Sequence, residues 1–273
     1  MDNSKIGHNN PPEDISKKEI EEITYNLLEN KLKTFIPKAN TFTPWDLVFP
    51  EQRKIHSKIQ GLITSAGSVW EDLAIKLATR NGYKSEKKKK FNVEDALDLG
   101  QIKYKISNLK EKIESNQITI VNAIEDLREH IQNNNISIAK KKIESGKGID
   151  LWLKKEGKNE IITDIKSAQE NIGNGKKLIE HMLIWAGSRL LSDQNAKFEV
   201  FISFPYNPYS NDEEYEEIQG RKLPNLEPGV DRRMGDQFWD LISGEKNSTY
   251  KIKNAFKKFS ASKAAEEFSN NYL

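Results

Sequence analysis

Asp150, Asp164 and Lys166 fall within one short stretch of this chain, Gly148 to Gln169, and they are the residues best suited to chemistry. Asp150 stands between Ile149 and Leu151. Asp164 follows Ile161, Ile162 and Thr163, and Lys166 comes two residues later. A carboxylate in an apolar run is costly unless it is paired or bound to a cation. Two such acids with a lysine are the parts a metal-assisted phosphodiester hydrolysis requires. That reaction needs an attacking hydroxide, neutralisation of phosphate charge and a stabilised leaving oxygen. Mg²⁺ supplies much of this and takes carboxylate, carbonyl and water ligands.

The elements that must position these groups are legible as a β-hairpin. An apolar run from Ile149 to Leu153 leads through a polar turn at Lys154–Asn159 into a second run, Glu160 to Ile165. Residues two apart on a strand share a face, so Asp164 and Lys166 project together. Asp150 on the neighbouring strand can share one cation with Asp164, and the Ile165 carbonyl can be a third ligand. Lys166 would then orient or deprotonate the attacking water and hold the phosphate. Glu71, in the first turn of a helix spanning Val69 to Thr79, either compensates the helix dipole or reaches the metal site. The plainer reading is a structural ion pair, Asp150–Lys166 or Asp164–Lys166, without catalysis.

Around the hairpin the chain reads mostly as helix. Residues 1–13 form a flexible arm, rich in Asn and Pro. Ile20, Ile23, Leu27, Leu28 and Leu32 give helical spacing up to a stop at Pro37, and Trp45 and Phe49 lie in the loop that follows. Further helices are expected at 52–64 and 69–79, the latter capped by Ser68. Residues 81–92 carry Lys84 and Lys87 to Lys90, either a solvated loop or a phosphate contact. Ile102, Ile106, Leu109 and Ile113 mark a long helix, and another runs from Thr119 to Gln132. The two make a helical insertion around 93–133. After the hairpin come a helix at 177–191, an alternating strand at 197–204, and helices at 231–242, 248–259 and 262–270. This order predicts an α/β (α+β) fold, one domain over 14–273, with a central mixed β-sheet flanked by helices.

Composition narrows the class. The chain has 273 residues with 36% hydrophobic content, enough for a substantial core. It contains no Cys, which excludes disulfides and cysteine zinc sites, and its four His lack zinc-ligand spacing. The net charge of +2 means that nucleic-acid contacts must come from local clusters. No apolar run is long enough for a membrane span, and residues 1–14 lack the apolar stretch of a secretory signal. A cytoplasmic protein is the expectation.

Ile149-Asp150, then Asp164-Ile165-Lys166, resembles the PD-(D/E)XK nuclease motif, with Ile149 in place of the usual Pro and Glu71 at the position of the extra acid many members carry. Residues 164–178, Leu183-Ile184-Trp185, 205–209 and Gln237-Phe238-Trp239-Asp240 together resemble type II restriction endonucleases of the TdeIII type, over roughly 148–245. Gln169 stands where those relatives carry Lys. The resemblance implies a restriction-endonuclease-like core, one or two Mg²⁺ per active site, double-stranded DNA as substrate and a GGNCC-like target. It also implies a prokaryotic or phage system with a cognate DNA methyltransferase. A palindromic target implies a homodimer. Ser167, Gln169, Asn171 and Asn174 follow the catalytic strand and open a helix, a setting that suits phosphate, with Lys176 and Lys177 adding charge; the same residues also suit an ordinary capped helix start. Tyr206 and Asn207 leave a strand toward a DNA groove or form a rigid turn. Arg221, Lys222, Arg232 and Arg233 form a second basic cluster and are the better guanine readers. A structure-selective nuclease of the same fold and a non-catalytic DNA-binding protein are the competing readings.

Overall fold

The computed structural model describes residues 15–34, 67–87, 99–134, 136, 148–166, 172–209, 213–214, 217–218, 223 and 225–272. The arm at 1–13, the loop with Trp45 and Phe49, the helix expected at 52–64, and Ser167, Gln169, Asn171, Arg221 and Lys222 lie outside these residues. In chain order the elements are α1 (Ile15–Lys33), α2 (67–80), β1 (Lys84–Lys87), α3 (Leu99–Glu114), α4 (Ile120–Asn133), β2 (Leu151–Lys154), β3 (Glu160–Ile165), α5 (Ile172–Ser192), β4 (Phe198–Phe204), β5 (Arg232–Met234), α6 (Asp236–Ser243), α7 (Ser248–Ser260) and α8 (Lys263–Tyr272).

The strands form one mixed sheet in the order β1-β2-β3-β4-β5. β1–β2 and β2–β3 are antiparallel, while β3–β4 and β4–β5 are parallel. The expected α/β fold, a mixed sheet flanked by helices, is observed. The central strands are apolar on successive residues because both faces are covered. Leu151, Leu153, Ile161 and Phe201 pack with Ile20, Leu73, Leu77, Phe238, Trp239 and Ile252, so α1, α2, α6 and α7 lie on one face. Trp152, Ile162, Val200, Ile202 and Phe204 pack on the other face with α5, α3 and α4.

On that second face α5 is buried over 182–191 without interruption. A helix that is apolar all round must be enclosed. Here the sheet lies on one side of it and the Ile102–Ile113 and Ile120–Ile131 seams lie on the other. Gly187 is where they come closest: a Cβ there would stand 2.8 Å from Ile102 Cδ1 and 3.4 Å from Leu127 Cδ2. Gly187→Ala is therefore expected to lower stability by about 1–3 kcal/mol through overpacking, read as a shift in the urea midpoint at unchanged slope. An unshifted midpoint would mean that α3 and α4 yield freely.

Four local expectations are corrected. Residues 84–87 form edge strand β1 where a loop is expected: Lys-Ser-Glu-Lys carries no apolar pattern, and β2 supplies the open backbone edge. Arg232–Met234 is a strand, and α6 starts only at Asp236, because β4 offers a parallel partner at Ile202–Phe204. Ser68 lies within α2, which begins at 67, and its hydroxyl accepts from Lys31 Nζ at 2.7 Å, tying α2 to α1. The helix after the hairpin also starts earlier than expected, at Ile172.

Candidate active site

β3 runs between β2 and β4, so its backbone is held on both sides. Asp164 pairs with Ile202 in the register and follows Ile162, which puts its side chain on the α5 face near the strand's C-terminal end. The Lys166 N–H donates to the Ser203 carbonyl at 2.9 Å, extending the β pattern one residue past the strand. Lys166 therefore returns to the face of Asp164, and its Nζ lies 2.5 Å from Asp164 Oδ2. The lysine side chain keeps 31% exposure against 7% for the aspartate, so the pair sits at the edge between core and solvent.

Asp150 immediately precedes β2. Its Oδ2 accepts the Ile165 N–H at 3.0 Å, and its carboxyl is hydrogen-bonded to that of Asp164. Burial raises the Asp150 pKa. The hydrogen bond and charge of Asp164 raise it further, and the Ile165 N–H and Lys166 only partly offset this. The hairpin thus brings Asp150, Asp164 and Lys166 together, and the two acids crowd until one tends to hold a proton. A divalent cation relieves that crowding, and two carboxylates beside a main-chain carbonyl are hard oxygen donors of the kind Mg²⁺ takes. This donor set fits the ion. Among the described residues no group of three or more His, Asp or Glu converges to hold a metal. Glu71 is half-buried on α2, which packs on the sheet face away from Asp164.

Two residues that the motifs do not reveal support the acids from the other face. The Ser203 hydroxyl donates to the Asp164 carbonyl at 3.1 Å and lies 3.0 Å from the Thr163 hydroxyl, both side chains being fully buried. A lone Ser within the alternating apolar pattern of 197–204 is the only signal the sequence offers for this.

The other candidates are dispersed. Lys176 pairs with Glu114 at 3.4 Å, and Lys177 is exposed on the next residue of α5. Tyr206 packs 5.8 Å from the Trp70 ring, and the turn is pinned by Trp239 Nε1 donating to the Pro205 carbonyl at 2.7 Å. Asn207 Oδ1 accepts the Tyr209 N–H at 2.8 Å, closing the turn on itself. Arg232 is 4% exposed, and its Nε donates to the Leu226 carbonyl at 3.0 Å. Arg233 lies 4.2 Å from the Phe201 ring centre and pairs with Glu199 at 2.6 Å. Both guanidiniums are thus engaged in holding the 225–232 loop to the sheet.

That loop turns around Asp231, 2% exposed, whose Oδ2 accepts the Glu227 N–H at 3.0 Å. Burial pushes its pKa up to about 6. A raised acid pKa stabilises the fold fully below the unfolded value of 3.8 and loses that contribution as pH rises through about 6. Stability is expected to fall between about pH 4 and 6.5, and Asp231→Asn should flatten about 2 kcal/mol of that fall. Urea titrations of both proteins at the two pH values check it; parallel curves would exclude Asp231 as the source.

Sheet order, helix layers and an acid-x-lysine pair at the end of a central strand define a restriction-endonuclease-like protein. Residues 12–260 match the family model described as "Type II restriction endonuclease, HinfI", and the chain belongs to that family. It is a site-specific deoxyribonuclease, with DNA as its partner. No curated protein and no solved structure matches it. Among the described residues no helix is long and apolar enough to cross a membrane.

Proposed function

We propose that this endonuclease is Mg²⁺-dependent and hydrolyses both strands of a duplex palindrome, leaving 5′-phosphate and 3′-hydroxyl ends. The observation that carries this reading is the contact set of Asp164 with Lys166 and Asp150. Asp150, Asp164 and the Ile165 carbonyl would hold the ion, one or two per active site. When bound, Mg²⁺ supplies charge neutralisation on the phosphate and a more acidic coordinated water. Lys166, partly exposed beside Asp164, holds a phosphate oxygen and orients the attacking water. The Ile165 N–H fixes the Asp150 carboxylate, and the Ser203 hydroxyl fixes the strand that carries Asp164.

DNA backbone contacts are assigned to Ser167, Gln169, Asn171 and Asn174, which follow Lys166 in sequence, with Lys176 and Lys177. Groove contacts are assigned to Tyr206, Asn207, Arg221 and Lys222, while Arg232 and Arg233 act by supporting the adjacent loop. The enzyme works in the cytoplasm as a homodimer, one active site per strand, alongside a cognate methyltransferase that protects the host's own sites. The GGNCC-like target rests on the TdeIII-type likeness of residues 164–178, 205–209 and 237–240.

Incubating plasmid DNA with the protein and Mg²⁺, with and without EDTA, and sequencing the ends tests all of this. Discrete fragments with one shared flanking sequence, abolished by EDTA, are expected, and that sequence accepts or rejects the GGNCC-like target. Cleavage that persists in EDTA would overturn the metal assignment. Absence of cleavage with any divalent ion would overturn the catalytic reading.

A further inference from the structure

The end of the sheet away from Asp164 carries a second concentration of charge. Glu160 opens β3 four residues before Asp164, which at about 3.3 Å per residue places it some 13 Å from that acid. Beside it lies a cleft of about 580 Å³, walled by the β2–β3 turn, the start of β1 and the segment between α5 and β4. Six cationic side chains line this cleft against three carboxylates.

Two of those carboxylates share one guanidinium. Arg189 meets both oxygens of Glu160, at 2.7 and 2.9 Å, and reaches Asp193 at 3.1 Å. The positive surplus therefore rests on lysines. Lys84, Lys158 and Lys197 are exposed, and among the described residues they meet no carboxylate at ion-pair distance. Lys154 lies 3.9 Å over the Trp152 ring, which holds its charge at the rim.

Lysine on an edge strand also guards against strand pairing with another molecule. That accounts for Lys84, but not for Lys158 in the hairpin turn or Lys197 ahead of β4. The edge strand itself connects the two ends of the sheet. Lys84 pairs with Lys154 at the cleft, and Lys87 pairs with Leu151, next to Asp150.

We propose that this cleft binds the phosphodiester backbone of DNA outside the cut site. The assignment of DNA as the anion rests on the endonuclease reading. About 13 Å corresponds to roughly four base pairs of duplex at 3.4 Å each, so flanking phosphates of the cut duplex reach the cleft when its axis follows β1. A duplex lying across β1 instead would place a second DNA molecule there.

The test compares wild type with the triple variant Lys84→Gln/Lys158→Gln/Lys197→Gln, with EDTA present so that DNA stays intact. Fluorescence anisotropy across a salt series is measured on a 40-bp and a 14-bp duplex that both contain the target. Each lysine that neutralises a phosphate steepens the salt dependence by about 0.9, so the variant's slope is expected to be shallower by up to about 2.7, with affinity at least tenfold weaker at low salt. A loss on both duplexes at the first equivalent of DNA assigns the cleft to phosphates of the cut duplex itself, since a 14-bp duplex also spans the roughly four base pairs from the cut. A second equivalent of 14-bp duplex that binds wild type and not the variant assigns it to another molecule. Equal slopes and affinities for both proteins on both duplexes overturn the proposal. Melting temperature and circular dichroism confirm that the variant folds. A wild type that shows the excess slope but cuts nothing overturns the endonuclease reading and keeps the cleft; one that cuts with no excess slope overturns the cleft alone.

Discussion

Asp164→Asn and Lys166→Met are each expected to lower the single-turnover rate of duplex cleavage by about 10³-fold or more, with the fold and DNA binding retained. Asparagine keeps the shape of Asp164 and its neighbours but removes the negative charge. Lys166 then loses its partner at 2.5 Å, and Asp150 loses the acid against which it is hydrogen-bonded. Methionine keeps the length of Lys166 without its charge, so packing along the 31% exposed side chain changes little. On the proposed reading each group acts where charge develops during phosphoryl transfer, and neither is needed to complete the core. Glu71→Ala supplies a contrast. Its helix packs on the opposite sheet face, so its loss is expected to cost less than either substitution. Rapid-quench measurement on a short duplex, with binding followed separately, checks all three. Near-wild-type cleavage by either the Asp164 or the Lys166 variant would sink the catalytic assignment.

Arg189→Met is expected to remove about 3–5 kcal/mol of stability, lowering the melting temperature by roughly 10 °C. The guanidinium is 10% exposed and its partner carboxylate 17%, so little water is available to replace what is lost. Burial works to raise the Glu160 pKa, and hydrogen bonds from Arg189 and from Trp152 Nε1 outweigh it, holding Glu160 below its ordinary 4.5. A lowered acid pKa stabilises above the unfolded value and loses that contribution as pH falls through the folded one. The penalty of Arg189→Met should therefore be full at pH 7 and shrink below about pH 4.5, where Glu160 takes a proton. The double variant Glu160→Met/Arg189→Met should recover more than half of the loss, since no buried charge is left unpaired. Urea midpoints at pH 7 and pH 4 for the two variants decide this. A double variant as unstable as the single one would show that the cost lies in packing.

What could be read without coordinates depended on how local the determinant is. The hairpin, α5 and β4 are legible because apolar runs, a polar turn and alternation are set by neighbours in sequence. The seams of α3 and α4 are legible for the same reason, and Thr119 caps α4 as its side chain suggests, accepting the Asn122 N–H at 3.2 Å. β1 and β5 are not legible. Each is short and polar, and each exists because a longer strand presents unpaired backbone groups beside it. Arg232 and Arg233 show the same limit for function. Their spacing reads as a basic cluster, but β5 gives one a buried carbonyl partner and the other Glu199.

That Asp150, Asp164 and Lys166 come together at one end of the hairpin was legible in the sequence alone. Acids inside apolar strands announce a cost that must be met, and the two-residue spacing of Asp164 and Lys166 fixes their shared face. Only the tertiary structure decided what surrounds them. It pressed the Asp150 carboxyl against Asp164, placed Ser203 and Thr163 behind the strand, set Glu71 on the opposite face, and gathered lysines from three separate segments at the far end of the sheet. The reason is distance along the chain: spacing governs which residues share a face, whereas strand order and helix packing govern which faces meet.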